Sequence, residues 1–389
     1  MKHCIEGSNA VARIVKLCRP AVVAAYPITP QTHIVEDLSK FVSDGQADFE
    51  FIRSESEFAA ASIVLGASAA GVRTYTSSSS QGLLLMTEVL FTIAGLRLPV
   101  VLTCANRAVS APINIWNDQQ DSMTIRDAGW IMLYAEDNQE AVDFHPLAYK
   151  VAEQLKIPVM VNMDGFILTH VVEPVDIPDE APLGKFLPEY VPEHGQFLDV
   201  KNPVSLGAFA TPADYMNIRQ EFFDDLVDAK KVIKQELKNY QNIFGRGSDE
   251  LVEFYGDEKA ETVFVAMGSV VGTLKDVVDE LNAVGKRARF DLRQARRAAV
   301  VKIKCFRPFP TEELQKKLRR AKFVAVIDKS VSLGQEGILA TEVKACLSGG
   351  EQVVRGFVAG LGGRDITKKQ LVEVYKSARK KKVDATFVG

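Results

Sequence analysis

Four short, β-branched runs separated by stretches of helical length fill the first half of this chain, and no other feature restricts its fold so strongly. Residues 21–26, 73–77, 98–104 and 157–163 are strand-length apolar runs of the kind that suits a pleated, buried surface. Between them, residues 33–42, 55–70, 82–94 and 138–155 read as helices. Alternation of this kind predicts a parallel sheet with helices on both faces. A Pro-rich stretch, 173–212, reads as an irregular surface connection. A long charged helix over about 212–242 follows, and Gly245 and Gly247 break it. The alternation then restarts with a strand at 262–267, a helix at 273–284 and strands at 300–303 and 323–328. With 389 residues the chain is long enough for two domains, and the expected division is 1–247 and 248–389.

Charge excludes some functions. Forty-seven basic against 50 acidic residues leave a net charge of −3, which argues against a bulk nucleic-acid or anionic-membrane binder. The basic run 376–382 reads as a solvated helix end. The five cysteines, at 4, 18, 104, 305 and 346, form no C-x-x-C pair. The expectation is therefore no iron–sulfur cluster in this chain, and structural thiols in a reducing compartment. Residues 1–9 are polar, unlike a secretory leader, and no uncharged apolar stretch reaches the ~20 residues of a membrane span. A cytoplasmic protein is expected.

Four segments carry candidate chemistry. Ala25-Tyr26-Pro27-Ile28-Thr29-Pro30 ends a strand, and ligands of open parallel sheets bind at the carboxyl ends of strands; Thr29 is placed either to meet a ligand or to cap the next helix. Arg53-Ser54-Glu55-Ser56-Glu57 opens a helix rich in Ala, Ser and Gly. Its acids suit the helix dipole, and its small residues suit an interface with Glu57 at it. Thr76 to Gly82, including Ser80 and Gln81, is a hydroxyl-rich turn into an apolar helix, offering N–H groups to an anion or helix caps. It lacks the lysine of a phosphate loop. Arg107 follows a strand and is either a fork for a carboxylate substrate or the partner of Asp118 or Asp121.

Taken in this order and spacing, these segments resemble the alpha subunit of pyruvate:ferredoxin oxidoreductase and its 2-oxoacid relatives, across nearly the whole chain. The likeness is strongest over 25–173 and extends to Val300-Val301-Lys302 and Arg307-Pro308-Phe309-Pro310. It implies a pyrimidine-type thiamine-diphosphate-binding parallel-sheet domain followed by a smaller transketolase C-terminal-like α/β domain. It implies that Glu57 hydrogen-bonds the aminopyrimidine ring of thiamine diphosphate, a task that calls for a raised pKa. Thr29 would face the substrate, and Arg107 would bind its carboxylate. Ser80, Gln81 and Gly82 would lie beside the cofactor. Asp164-Gly165-Phe166 matches a family triplet to which no role is assigned.

No Gly-Asp-Gly segment of the kind that binds the diphosphate and its metal occurs here. The resemblance therefore implies a diphosphate-binding beta-type partner with Mg²⁺, a ferredoxin-like iron–sulfur partner and a gamma-type partner, with a 2-oxoacid and coenzyme A as substrates. Asn106-Arg107-Ala108 and Trp116-Asn117-Asp118 stand where the 2-oxoglutarate branch carries Arg-Gly-Gly-Pro, so pyruvate is the expected substrate. An aromatic 2-oxoacid such as phenylglyoxylate and a non-catalytic scaffold subunit are the alternatives. A nicotinamide dehydrogenase would need a Gly-x-Gly-x-x-Gly turn, which 66–71 does not supply.

Overall fold

The computed structural model describes residues 2–283, 297–380 and 387–389. The end of the expected helix 273–284 and positions 381 and 382 of the basic run lie outside them.

The larger sheet has seven strands, in the spatial order Cys305–Arg307, Ile131–Tyr134, Val159–Asp164, Val101–Asn106, Thr74–Ser78, Val22–Ala25 and Glu50–Arg53. The six strands from the first half are mutually parallel. Its central strands are buried along their whole length, because helices cover both faces, and hence they read as continuous apolar or small-residue runs. Glu50–Arg53 and Ile131–Tyr134 add to the four strands expected. The first is a mostly exposed edge strand with a charge at each end, a composition that discourages edge pairing and hides the strand from a hydrophobicity reading.

All six carboxyl ends open on one edge. The chain runs from Val22–Ala25 outward to Glu50–Arg53, then crosses back to Thr74–Ser78 on the other side. The order reverses between these two inner strands, and ligands of doubly wound sheets bind in the crevice that such a switch leaves.

Two expected elements differ, and the long helix is as expected. The stretch 82–94 is two helices, Ser80–Leu85 and Thr87–Gly95; the Thr87 hydroxyl donates to the Leu84 carbonyl at 2.6 Å, a back-bond that bends helices. The Pro-rich region is not wholly irregular. Val172–Asp176 pairs antiparallel with Lys2–Glu6, where Pro174 is tolerated because the ribbon has only two strands, and Glu180–Phe186 is helical. The long helix, Pro212–Phe244, begins with proline and ends at Gly245 in the left-handed conformation, φ 69°.

The second sheet runs Phe387–Val388, Val353–Ala359, Phe323–Asp328, Thr262–Ala266, Ala298–Ile303 and Val252–Gly256, parallel except for the last. The halves interlock. Cys305–Arg307 leaves the second half to form an antiparallel edge strand of the first sheet. The buried Lys302 ammonium reaches Glu136 and Glu140 of the first half at 2.9 and 2.7 Å.

Candidate active site

Helix Glu57–Ala69 starts at Ser56, whose hydroxyl accepts the Ala59 N–H at 3.2 Å. Glu57 is therefore in the first turn, as a helix-start acid should be. It is also 7% exposed, and its carboxyl has no hydrogen-bond or ion-pair partner among the described residues. Its chain lies against Gly82: a Cβ built there would stand 2.6 Å from Glu57 Oε1 and 2.5 Å from Ser78 Oγ. Only glycine admits the carboxyl to this position. The buried Ser78 hydroxyl is likewise without a partner among the described residues. A buried polar group left unmatched costs stability, and the Ser78 hydroxyl beside the Glu57 carboxyl marks the place for something that satisfies it.

Thr29 follows Val22–Ala25 and is exposed. Its turn is held by the fully buried Gln31, whose amide donates to Ser77 O at 2.9 Å and Ser77 Oγ at 2.6 Å. Arg107 follows Val101–Asn106 on the other flank. Its Nη1 donates to the Thr29 carbonyl at 2.9 Å and its Nε to the Asn114 carbonyl at 3.0 Å. No carboxylate pairs with it among the described residues. The internal ion pair with Asp118 or Asp121 is therefore not formed; Asp121 accepts the Arg107 backbone N–H instead, at 2.9 Å. Burial pulls the Arg107 pKa down, opposed by the more distant charge of Asp121. The result is a cation oriented by two neutral carbonyls, with Nη2 uncommitted.

Ser80, Gln81 and Gly82 form the first turn of a helix rather than a loop. Ser80 adopts φ 48°, and its N–H goes to Asp121 at 2.9 Å, so the anion this turn accepts is internal. Its hydroxyl donates to the Ala108 carbonyl at 2.5 Å, and the Gln81 amide donates to the Ser110 carbonyl at 3.2 Å. Together they tie the helix Ser80–Leu85 to the loop that follows Arg107.

Sequence reasoning missed Asp121 as an organiser. It is fully buried and also accepts from Asn106 Nδ2 at 2.9 Å and Ser122 N at 2.8 Å; burial raises its pKa against these four donors. Asp164 supplies the missing role of its triplet. It is buried, paired with the buried Lys329 at 2.8 Å, and accepts the Ser269 N–H at 3.0 Å and the Ser269 hydroxyl. Burial alone would push its carboxyl up; the Lys329 charge and these bonds outweigh that and hold it low. Asp164 thus fastens the binding edge to the second domain. A glycine-rich loop of that domain adds a second fastening: Gly362 N–H donates to Asp118 at 3.1 Å, and Asn114 Nδ2 donates to the Gly362 carbonyl at 3.0 Å. Asp118, buried, is raised to about 6.

Residues 13–238 match the family model described as "Pyruvate flavodoxin/ferredoxin oxidoreductase, thiamine diP-bdg", and residues 260–371 match "Pyruvate:ferredoxin oxidoreductase core domain II". The chain belongs to the pyruvate:ferredoxin oxidoreductase family, with a thiamine-diphosphate-binding domain and a second α/β domain. Among its relatives, it is 46% identical to "Pyruvate synthase subunit PorA" of Pyrococcus abyssi (strain GE5 / Orsay), covering 97% of this chain and 94% of that one. It is 47% identical to the subunit of the same name from Methanosarcina barkeri (strain Fusaro / DSM 804), covering 97% and 92%. It is 41% identical to "Ketoisovalerate oxidoreductase subunit VorA" of Pyrococcus horikoshii, covering 98% and 94%. A solved structure of a 2-oxoglutarate:ferredoxin oxidoreductase from Magnetococcus marinus has the same fold, with a TM-score of 0.74 at 19% identity over 97% of this chain and 65% of that one. No helix among the described residues is long and apolar enough to cross a membrane.

Proposed function

We propose that this chain is the alpha-type subunit of a pyruvate:ferredoxin oxidoreductase and holds the aminopyrimidine end of thiamine diphosphate. The observation that carries the reading is the carboxyl of Glu57, without a partner among the described residues, set against Gly82 and beside the buried, unpartnered Ser78 hydroxyl. A flat ring with a basic nitrogen fits that group: it supplies the missing hydrogen-bond partner and lies over a surface that Gly82 keeps free of a Cβ. When bound, the cofactor supplies a nucleophilic carbon and an acceptor for the electrons released on decarboxylation.

This chain's residues do the positioning. Glu57 shares a proton with the ring nitrogen, which sets the ring's protonation state for acid–base work. Arg107 offers its uncommitted Nη2 to the substrate carboxylate, and Thr29 faces the same substrate with its hydroxyl. Ser80, Gln81 and Gly82 fix the floor beside the cofactor. The overall change is loss of carbon dioxide from the 2-oxoacid, transfer of the acyl group to coenzyme A sulfur with release of the thiol proton, and passage of two electrons to ferredoxin. Mg²⁺, the diphosphate site and the iron–sulfur clusters belong, in this reading, to beta-type, ferredoxin-like and gamma-type partners in a reducing cytoplasm. The division between the pyrimidine-type domain and the transketolase C-terminal-like domain falls at 247/248, supported by the helix end at Gly245 and the first strand of the second sheet at Val252.

Calorimetric titration of the isolated chain with thiamine diphosphate and Mg²⁺ tests the shared site. Weak or absent binding is expected, with tight binding only in the complex purified with its native partners; tight binding by the chain alone overturns the reading. Assay of that complex with pyruvate, 2-oxoisovalerate and phenylglyoxylate tests the substrate, with pyruvate expected to give the highest kcat/KM.

A further inference from the structure

Away from Glu57 and Arg107, the Lys2–Glu6 strand, the helix after Thr29 and the turn after Asp164 converge. The antiparallel register sets Glu6 opposite Val172. Gly7 N–H donates to the Val171 carbonyl at 3.1 Å, and Ser8 N–H to that of Thr169 at 2.9 Å. These bonds fix Glu6 beside His170. His33 sits one residue inside helix Thr32–Ser43, and its Nδ1 lies 2.7 Å from Glu6 Oε1. The His33 and His170 rings are 4.6 Å apart between centroids. One donor atom from each of Glu6, His33 and His170 falls within 4.8 Å of the other two, and all three residues are half-buried.

We propose that Glu6, His33 and His170 bind a divalent ion of the zinc class. Two imidazoles and one carboxylate form a donor set suited to zinc and its borderline neighbours; magnesium and calcium prefer oxygen alone.

His170 is braced as a metal-bound imidazole usually is. Its Nδ1 lies 2.7 Å from Thr169 Oγ1, which also accepts the Phe166 N–H at 2.7 Å. With Nδ1 donating to that oxygen, Nε2 presents its lone pair to an ion, and the outer partner fixes the tautomer. The Phe166 ring walls the other side, 4.6 Å from His170. Zinc ligands stand about 2.0–2.1 Å from the ion, hence roughly 3.3 Å from one another, so donors as far apart as 4.8 Å must close while the His33–Glu6 pair, now at 2.7 Å, opens to admit the ion; the His33 side chain, 44% exposed, has the freedom to do so. Three protein ligands leave a fourth position for water. The ion would staple the Lys2–Glu6 strand and the Phe166–His170 turn to the helix that follows Thr29, adding rigidity to one wall of the substrate side.

The full chain, stripped with a chelator, is titrated with Co²⁺ and then Zn²⁺. One Co²⁺ per chain is expected, with visible bands of nitrogen and oxygen ligation and no near-ultraviolet sulfur-to-cobalt band. Zn²⁺ should displace it and raise Tm by mass action. His33→Gln and His170→Ala should each weaken binding at least 100-fold. Thr169→Val should weaken it by the roughly 10–100-fold typical of a lost outer-shell partner. Cys4→Ser, at an exposed thiol on the same strand, should leave it unchanged. His33→Gln keeps a surface side chain of similar shape, so a folded variant is available whatever His170→Ala does. Absence of Co²⁺ binding by the wild-type chain, or unchanged affinity in folded His33→Gln, overturns the proposal.

Discussion

The carboxyl edge of the larger sheet carries two buried acids with opposite surroundings. Asp164 is saturated: an ammonium, a hydroxyl and a backbone N–H all converge on it. Glu57 has no such partner among the described residues. The same contrast separates cations. Lys329 is paired inside the protein, whereas among the described residues the Arg107 side chain is held by neutral carbonyls alone. Burial of a polar group is normally compensated, so the saturated acid explains a domain junction and the unmatched one points to a ligand. Strand ends bring both acids to the same edge; it is the partners that separate their roles.

The contrast breaks most sharply at Glu57. In the assembled complex, Glu57→Gln keeps the shape but removes the acid–base group, and turnover should fall by roughly 10²–10⁴-fold with subunit assembly intact. Steady-state assay with size-exclusion chromatography checks both. Gly82→Ala should produce much of the same loss without touching the carboxyl chemically, because its Cβ would occupy space 2.6 Å from Glu57 Oε1. Normal turnover in both variants would mean that Glu57 is only a helix-start acid.

At the saturated acid the expected effect is on stability. Lys329→Met leaves Asp164 charged and buried, a loss of about 3–5 kcal/mol in urea denaturation of the chain. The double variant Asp164→Asn/Lys329→Met should recover part of it, since no lone charge remains.

A smaller effect is expected at Arg107. Arg107→Lys cannot hold the Thr29 and Asn114 carbonyls and still present a further N–H to the carboxylate from a fixed plane, and kcat/KM for the 2-oxoacid should fall roughly ten- to a hundred-fold, mostly through KM. Tm should change little, because no ion pair is lost; an unchanged KM with a lowered Tm would make Arg107 a structural residue.

Asp118 should give a signal that appears only as pH is varied. Its folded pKa, about 6, lies above the ordinary 3.8. Its stabilising contribution is therefore present below about pH 4 and is lost as pH rises through 6. The stability of wild type relative to Asp118→Asn should fall across that window by on the order of 3 kcal/mol, read from urea melts at several pH values.

Local signals account for what the sequence made visible. Helix Asn138–Leu155 and strand Phe323–Asp328 have the bounds expected, the helix because Asp137 caps it, accepting the Glu140 N–H at 2.7 Å. Glu57 meets Gly82 and Arg107 meets Thr29 because all four follow strands of one parallel sheet whose carboxyl ends share an edge. Long-range pairings were not visible. Asp121 reads as one acid in a polar stretch, and nothing nearby shows that it takes the N–H groups of Ser80 and Arg107. Lys329 is 165 residues from Asp164, and a pairing that distant leaves no periodicity. The strand Glu50–Arg53 is too short and too charged to register.

The exchanged strand Cys305–Arg307 bears on how the protein is made. It pairs with Ile131–Tyr134, about 170 residues earlier, so the first sheet cannot complete that edge until the second half has left the ribosome. At roughly 5–20 residues per second, Ile131–Tyr134 waits on the order of ten to thirty seconds as an unpaired, wholly apolar edge, the kind of template that invites wrong pairing with other nascent chains.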